Sequence, residues 1–312
     1  MQVMKWTPGR PISKPGWYSG IPIELYHSPG ICEGPAVSSS DLRTAWSKSP
    51  AHMYAKWAEN TRREERKITD AMVLGGCAHY LLLGEDNFRT KYIAQPETYR
   101  DKKTAEEKKW SNNAHVCQAW NEKQRLSGKV VMKVDALTDI VAMSRSLALE
   151  PLVKDGLLKG YIETSGFFKD KETGLWIKVR PDVVPTSGPD YVDLKTASEV
   201  TTVALMSTIR TYGYHQQGAL IWEFCEAMNL PFETFVCMFI ETANPYCART
   251  VPLTDDDLAR GRLQNRAMLR KIKGCMDVQH WPGPGEGDLR PLPLSSDERD
   301  RIDARLKLEG LA

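Results

Sequence analysis

The 312-residue sequence lacks most of the features that settle a protein's class at a glance. Its seven cysteines, Cys32, Cys77, Cys117, Cys225, Cys237, Cys247 and Cys275, are odd in number and include no C-x-x-C pair. Neither a disulfide framework nor a zinc ribbon fits that spacing, and reduced thiols are expected. Cys225, Cys237 and Cys247 stand too far apart to form a four-cysteine iron–sulfur run. There is no Walker-type glycine loop, so ATP-driven translocation is not expected within this chain. The longest nearly apolar stretch, Ala71 to Gly84, is interrupted by His79 and is too short to span a bilayer. The opening residues, Met1 to Pro8, carry no apolar core of a secretory signal. An excess of one charge is also missing. Lys plus Arg is 42 and Asp plus Glu is 40, leaving +2, so any contact with nucleic acid must come from local placement of charge. No repeat or low-complexity tract is present.

What is there is globular. Apolar residues make up 41% and charged residues 26%, with 9 Trp, 11 Tyr and 7 Phe, which excludes a mostly disordered or collagen-like chain. A chain of this kind is expected in the cytoplasm. Residues 1–38 mix Pro and Gly with Trp6, Trp17, Tyr18 and Tyr26 and read as an extended strap. Ser38-Ser39-Ser40-Asp41 opens a helix through Leu42 and Trp46, and Pro50 starts another with Met53, Tyr54 and Trp57. Asp70 is placed to cap a helix over 71–83 that Gly84 ends. The charged run from Asp101 to Lys109 reads as a solvated helix face or loop, and weak helical periodicity continues to about Leu157.

The pattern then changes. Tyr161 to Lys169 and Leu175 to Val184 are β-like runs joined by the turn formers Asp170 to Gly174. After a Pro/Gly loop comes the short strand Tyr191 to Thr196. A helical stretch runs from about Glu199 to Met228 with a break near Gly213. Phe232 to Ile240 is apolar on both faces, as in a strand buried on both sides. Thr254 caps a last amphipathic helix, and a Pro/Gly loop and a charged tail follow.

The densest polar cluster on β-like sequence is Lys178-Val179-Arg180-Pro181-Asp182, shortly before Tyr191-Val192-Asp193-Leu194-Lys195-Thr196. Side chains alternate along a strand, so Asp193 and Lys195 share one face while Val192 and Leu194 enter the other. A hairpin between the runs brings Asp182 beside Asp193, and two carboxylates on one sheet face repel unless a cation lies between them. Mg²⁺ suits such oxygen donors and phosphate-bearing substrates. The competing reading is a surface salt bridge between Asp193 and Lys195 with Asp182 capping a turn, since a short D-x-K pattern often arises by chance. By the same measure His79 reads as a core histidine, Glu163 as a strand-edge charge, and Tyr214 and Gln217 as a solvated helix face. Arg180 fits a phosphate clamp or a structural ion pair equally well.

Pro181-Asp182 followed by Asp193-Leu194-Lys195 resembles the PD-(D/E)XK nuclease superfamily. In order along the chain, Tyr26-His27-Ser28, Ser39-Ser40-Asp41-Leu42, Gly75-Gly76-Cys77-Ala78-His79, Glu163 to Phe168 and Tyr214-His215-Gln216-Gln217 resemble its RecE, or exonuclease VIII, branch from phages and prophages. The resemblance implies an α/β fold with a restriction-endonuclease-like core, a central mixed β-sheet flanked by helices in the order αβββαβ, and helical extensions at both ends. Residues 1–60 would then form the strap and first helices, 61–252 the nuclease core, and 253–312 the last helix and tail.

The resemblance further implies a Mg²⁺-dependent exonuclease, with Mn²⁺ able to substitute and two ions per site. It would resect linear double-stranded DNA 5′→3′ and processively, leaving 3′ tails for a single-strand annealing protein during recombination in a bacterial host cell. Asp182, Asp193, the Leu194 backbone carbonyl, His79 and Glu163 would hold metal, and Lys195 would activate the attacking water. Arg180, Tyr214 and Gln217 would contact DNA. Ile221 stands where that branch often has a tyrosine, four residues after the glutamine, so Tyr214 is expected to do its work. A homo-oligomeric ring, a tetramer in that branch, is expected too. An endonuclease on the same core and a silent DNA-binding module are the alternatives.

Overall fold

The computed structural model describes residues 2–63, 69–83, 88–101, 103–186, 188–309 and 311. The N-terminal part contains β1 (Val3–Lys5), β2 (Gly16–Ser19), α1 (Ile23–Tyr26), β3 (Ala36–Ser38), α2 (Ser39–Ser47) and α3 (Pro50–Tyr54). Then come α4 (Asp70–Leu82), α5 (Phe88–Lys91), β4 (Tyr92–Ala94), β5 (Thr98–Arg100), β6 (Glu107–Lys109), α6 (His115–Leu126), β7 (Val130–Met132), α7 (Asp135–Leu147) and α8 (Pro151–Lys154). The β-rich middle holds β8 (Gly160–Ile162), β9 (Ser165–Lys169), β10 (Trp176–Val179), β11 (Val183–Pro185) and β12 (Tyr191–Ala197). After it follow α9 (Thr202–Tyr212), α10 (Tyr214–Met228), β13 (Phe235–Glu241), β14 (Ala248–Pro252), α11 (Asp255–Val278) and α12 (Ser296–Leu308).

Local chemistry sets most helix starts. Ser38 N–H donates to Asp41 Oδ2 at 2.8 Å where α2 begins, and Thr254 Oγ1 accepts from Asp257 N–H at 3.2 Å where α11 begins. Thr69, not Asp70, caps α4: its hydroxyl accepts from Met72 N–H at 3.3 Å, and Asp70 falls in the first turn. The expected stop at Gly84 lies outside the described residues.

Two five-stranded sheets carry the fold, ordered β1-β2-β9-β10-β3 and β14-β13-β12-β11-β8. One long hairpin serves both. Its turn is the expected one: Asp170 Oδ2 accepts from Thr173 N–H at 2.8 Å, and Gly174 has φ 72°. Each expected strand of that hairpin is broken, however. The first splits into β8 and β9 at Glu163-Thr164, and the second into β10 and β11 at Arg180-Pro181-Asp182. Glu163 has φ 51°, a left-handed backbone that no strand continues through, and Pro181 has no N–H to give a ladder. The breaks face each other, with Glu163 N–H donating to Asp182 O at 3.0 Å. The hairpin therefore kinks as a unit and passes from one sheet to the other.

The second sheet is covered on both sides, and β13 shows it residue by residue. Phe235, Cys237 and Phe239 enter a core with Trp17, Leu42, Phe224, Leu258 and Ile272, while Val236, Met238 and Ile240 enter another with Cys77, Met132, Ile140 and Met143. The all-apolar strand expected from sequence is thus observed. Along β12, Val192 and Leu194 face the second core, away from Asp193 and Lys195.

Three further readings change. The first 38 residues are not a surface strap: β2 pairs with β9, β3 pairs with β10, and Trp17 is buried against Tyr191 and Phe224. Among the described residues of the charged run 101–109 there is no helix, and its end, Glu107–Lys109, is a strand that pairs antiparallel with β5. The charged tail contains a helix, α12, with no buried residue.

Candidate metal centre

The kink puts its irregular residues where three elements meet. Asp182 sits at the break and β12 pairs with β11 through Val183↔Val192, so the Asp182 carboxylate reaches the next strand and accepts Leu194 N–H at 2.6 Å. Its other oxygen lies 3.2 Å from His79 Nδ1, on α4. On the same helix Gly76 lets α4 pack against Tyr92, since a Cβ there would lie 2.9 Å from the Tyr92 hydroxyl. His79, Glu163 and Asp182 each offer a donor atom within 4.8 Å of the others. The histidine, the strained glutamate and the P-D aspartate are thus brought together from α4, the β8–β9 break and the β10–β11 break.

Asp193 and Lys195 lie beside this triangle. The Asp193 carboxylate accepts from Gln217 Nε2 at 2.6 Å and pairs with the Lys195 ammonium. Lys195 Nζ also stands 4.7 Å from the centroid of the Tyr214 ring. Tyr214 and Gln217 therefore turn toward the lysine and the aspartate, and Tyr214 is buried. Arg180 bonds Glu163 Oε2 at 2.6 Å and the Ile21 carbonyl at 3.0 Å, so the structural ion pair is formed. Sequence reasoning gave no role to Ile21 or to Arg43, and it used Tyr26 only as part of a motif. Tyr26 takes Lys178 on its carbonyl at 2.8 Å and has Arg180 over its ring at 5.6 Å. Its aromatic spacing is visible in the sequence, but a partner more than 150 residues away is not.

The electrostatics follow from crowding. Burial opposes a charge on His79, but the Asp182 carboxylate outweighs it and pushes the imidazole up to about 9. Burial also works against Asp182, and the His79 and Lys195 charges prevail and hold its carboxyl below the ordinary range. Asp193 goes the other way. Burial and the neighbouring Asp182 charge push its carboxyl up in spite of Lys195. Burial disfavours the Lys195 ammonium, yet Asp193 and the surrounding acids keep it firmly protonated.

These residues fit a divalent cation. The converging donors are two carboxylates and an imidazole, with the Asp193 carboxylate beside them, an oxygen-rich set of the kind that holds such an ion. A cavity of about 890 Å³ opens on His79 and Glu163, walled by the 20–24 segment, Tyr80, Lys91 and Arg180.

A mixed α/β fold with an acidic, lysine-bearing centre at a kinked hairpin defines the class, and comparison with known proteins agrees. Residues 38–289 match the PDDEXK-like domain of unknown function (DUF3799), and the chain belongs to that family. The resemblance drawn from the sequence, to the PD-(D/E)XK superfamily, is borne out by that match. Among solved structures, a candidate exonuclease from Eubacterium rectale is similar over 83% of this chain and 90% of its own, at 13% identity with a TM-score of 0.52, a likeness of fold. An alkaline exonuclease from Laribacter hongkongensis matches over 54% of this chain and 86% of its own at 16% identity, with a TM-score of 0.25, too low to bear on the fold. No curated protein matches the chain. No helix among the described residues is long and apolar enough to cross a membrane.

Proposed function

We propose that the protein is a metal-dependent DNA exonuclease that resects linear duplex 5′→3′ and leaves 3′ single-stranded tails for annealing. One observation carries this reading: His79, Glu163 and Asp182 converge within 4.8 Å beside the Asp193–Lys195 pair. With each broken strand pair counted as one, the chain order from α4 through β8–β9, β10–β11, β12 and α9–α10 to β13 supports an αβββαβ core, with 1–60 and 253–312 as its extensions.

His79, Glu163, Asp182, Asp193 and the Leu194 carbonyl would hold Mg²⁺ or Mn²⁺, one or two ions. When bound, such an ion polarises the phosphodiester and offsets charge on the leaving oxygen. The chain's own groups do the rest. Lys195, oriented by Asp193 and by the Tyr214 ring, places a cation against the developing charge and orients the attacking water. Gln217 holds Asp193 in register through its amide. Arg180, half engaged by Glu163, contributes a planar donor toward a phosphate entering the cavity. Assembly into a ring supplies a topological grip on DNA that a net charge of +2 does not.

The test is digestion of linear duplex carrying a label at one defined 5′ end, with Mg²⁺, with EDTA, and with an unlabelled DNA trap added after the start. Mononucleotide release from the labelled end that needs Mg²⁺ and survives the trap is expected. Full cleavage in EDTA, or cutting of covalently closed circles, would overturn the reading.

A further inference from the structure

Gly213 separates α9 from α10 in a left-handed conformation with φ 63°, and a Cβ there would lie 2.9 Å from Gln216 Oε1 and 3.0 Å from Arg43 Cδ. The turn it makes sets two tyrosines face to face. The rings of Tyr212 and Tyr214 are 5.8 Å apart and 14° from parallel. Tyr214, the inner ring, is the one that carries the Lys195 ammonium at 4.7 Å. Tyr212, the outer ring, is 59% exposed. Arg43 Nη1 donates to the Tyr212 carbonyl at 2.6 Å and Arg43 Nε to the Ser39 carbonyl at 3.3 Å, which ties the outer rung to α2. An ordered aromatic ladder thus runs from the lysine of the candidate centre to the solvent and ends in open ring surface.

We propose that Tyr212 is a stacking platform for an unpaired nucleobase of the DNA strand entering the centre, a reading that rests on the nuclease assignment above. Every base has a π-face, so stacking grips a strand without reading its sequence, as an enzyme working inward from any end requires. A base inside duplex already stacks on its neighbours, so the platform takes a base that is frayed or single-stranded. The Arg43 bond fixes the backbone that carries the ring and the Tyr214 contact orients the ring itself, which lowers the ordering cost on binding. Tyr212 is a binding residue here; Tyr214 acts through Lys195.

The experiment uses the full chain, with Ca²⁺ in place of Mg²⁺ to hold the DNA uncut, and a duplex whose frayed 5′ end carries 2-aminopurine. Wild type should bind it and quench the probe. Tyr212→Ala should weaken binding about 10-fold, within the range of one lost base–aromatic stack, and abolish the quench. Tyr212→Trp should keep both, and the melting temperature of Tyr212→Ala should stay at the wild-type value, since the side chain is exposed. Tyr212→Ala that binds and quenches like wild type, or wild type that does neither, overturns the platform. Mg²⁺-dependent digestion by wild type, run in parallel, separates the two readings. Cleavage without the probe response removes the platform alone, whereas absence of any cleavage removes the nuclease assignment beneath it.

Discussion

Helix α10 touches two clusters of charge, and they are balanced in different ways. Through Gln217 it reaches the candidate centre, where Glu163, Asp182 and Asp193 stand with His79, Arg180 and Lys195. Through Glu223 and Glu226 it reaches a second cluster, where Asp170 and Glu172 stand with them against Arg262, Arg266 and Arg270. In the second, arginines and acids alternate. Arg266 bonds Asp170 at 2.7 Å, Arg262 bonds Glu226 at 2.6 Å and Arg270 bonds Glu172 at 2.5 Å, so three elements are stapled by pairs that neutralise one another. In the first, each acid also has a cationic neighbour, but Glu163, Asp182 and the His79 imidazole converge as well, with three metal-ligating atoms inside 4.8 Å. Convergence of metal-ligating atoms suits a bound cation, and alternation serves the fold. Substitutions should therefore part company between the clusters, costing activity in one and stability in the other.

The largest effect belongs to the convergent cluster. Asp193→Ala should lower Mg²⁺-dependent cleavage by about 10³-fold or more, the scale on which preorganised electrostatic groups act. The fold should hold, because burial and the neighbouring Asp182 charge both disfavour that carboxylate, and their relief offsets the loss of its bond to Lys195. Single-turnover rates and urea unfolding on the same preparation check both halves. Lys195→Ala should slow the chemical step by about 10²-fold with DNA binding far less affected, the scale on which one preorganised charge-stabilising group acts. A near-normal single-turnover rate would reduce that lysine to a structural partner of Asp193.

The alternating cluster should respond the other way. Arg266→Ala removes the partner of Asp170, which is only 5% exposed, and loosens the joint between α11, α10 and the β9–β10 turn. A loss of about 2–3 kcal/mol in urea unfolding is expected, below the scale of a fully buried pair because Arg266 keeps part of its side chain in water. Cleavage per folded molecule should not change. A large loss of activity at full stability would show that the second cluster also serves the centre.

The same contrast explains how much could be read from sequence. The Asp170–Gly174 turn, the strand after Pro189, the break at Gly213 and the doubly buried β13 all carry local signals: turn chemistry, alternation, a glycine, an apolar run. Asp182 and Asp193 were placed side by side by hairpin spacing alone. What escaped was set by tertiary context. No local pattern announces a left-handed Glu163, because its backbone is held by the Asp182 carbonyl across the kink. The three-residue strands β5 and β6 are too short for periodicity to tell them from a charged helix. The chain's first strands look like a strap because their hydrogen-bond partners, in β9 and β10, lie more than 130 residues away. Arg43 found Tyr212 at a separation of 169 residues, beyond any spacing rule.

The smallest effect sharpens the comparison most, because it concerns the one acid in the alternating cluster that is not well paired. Glu223 is buried, and the arginines beside it are distant, with Arg266 at 3.6 Å and Arg262 at 3.8 Å. Both arginines make shorter bonds to other acids, and Glu223 Oε2 has no hydrogen-bond partner. Burial therefore prevails over the arginines and pushes the carboxyl up to about 7. An unfolded glutamate titrates near 4.5, so between those values the folded chain keeps a proton that the unfolded chain has given up. The stability from this group is full below about pH 4.5 and is lost as pH rises through about 7, a difference of up to about 3 kcal/mol. Glu223→Gln cannot ionise, so it should unfold near the wild-type urea midpoint at pH 5 and above it at pH 8, by about 1–3 kcal/mol. A variant less stable than wild type at pH 8 would mean that the carboxylate is charged and engaged by Arg262 and Arg266. The alternating cluster would then be fully paired, and the contrast with the convergent centre sharper still.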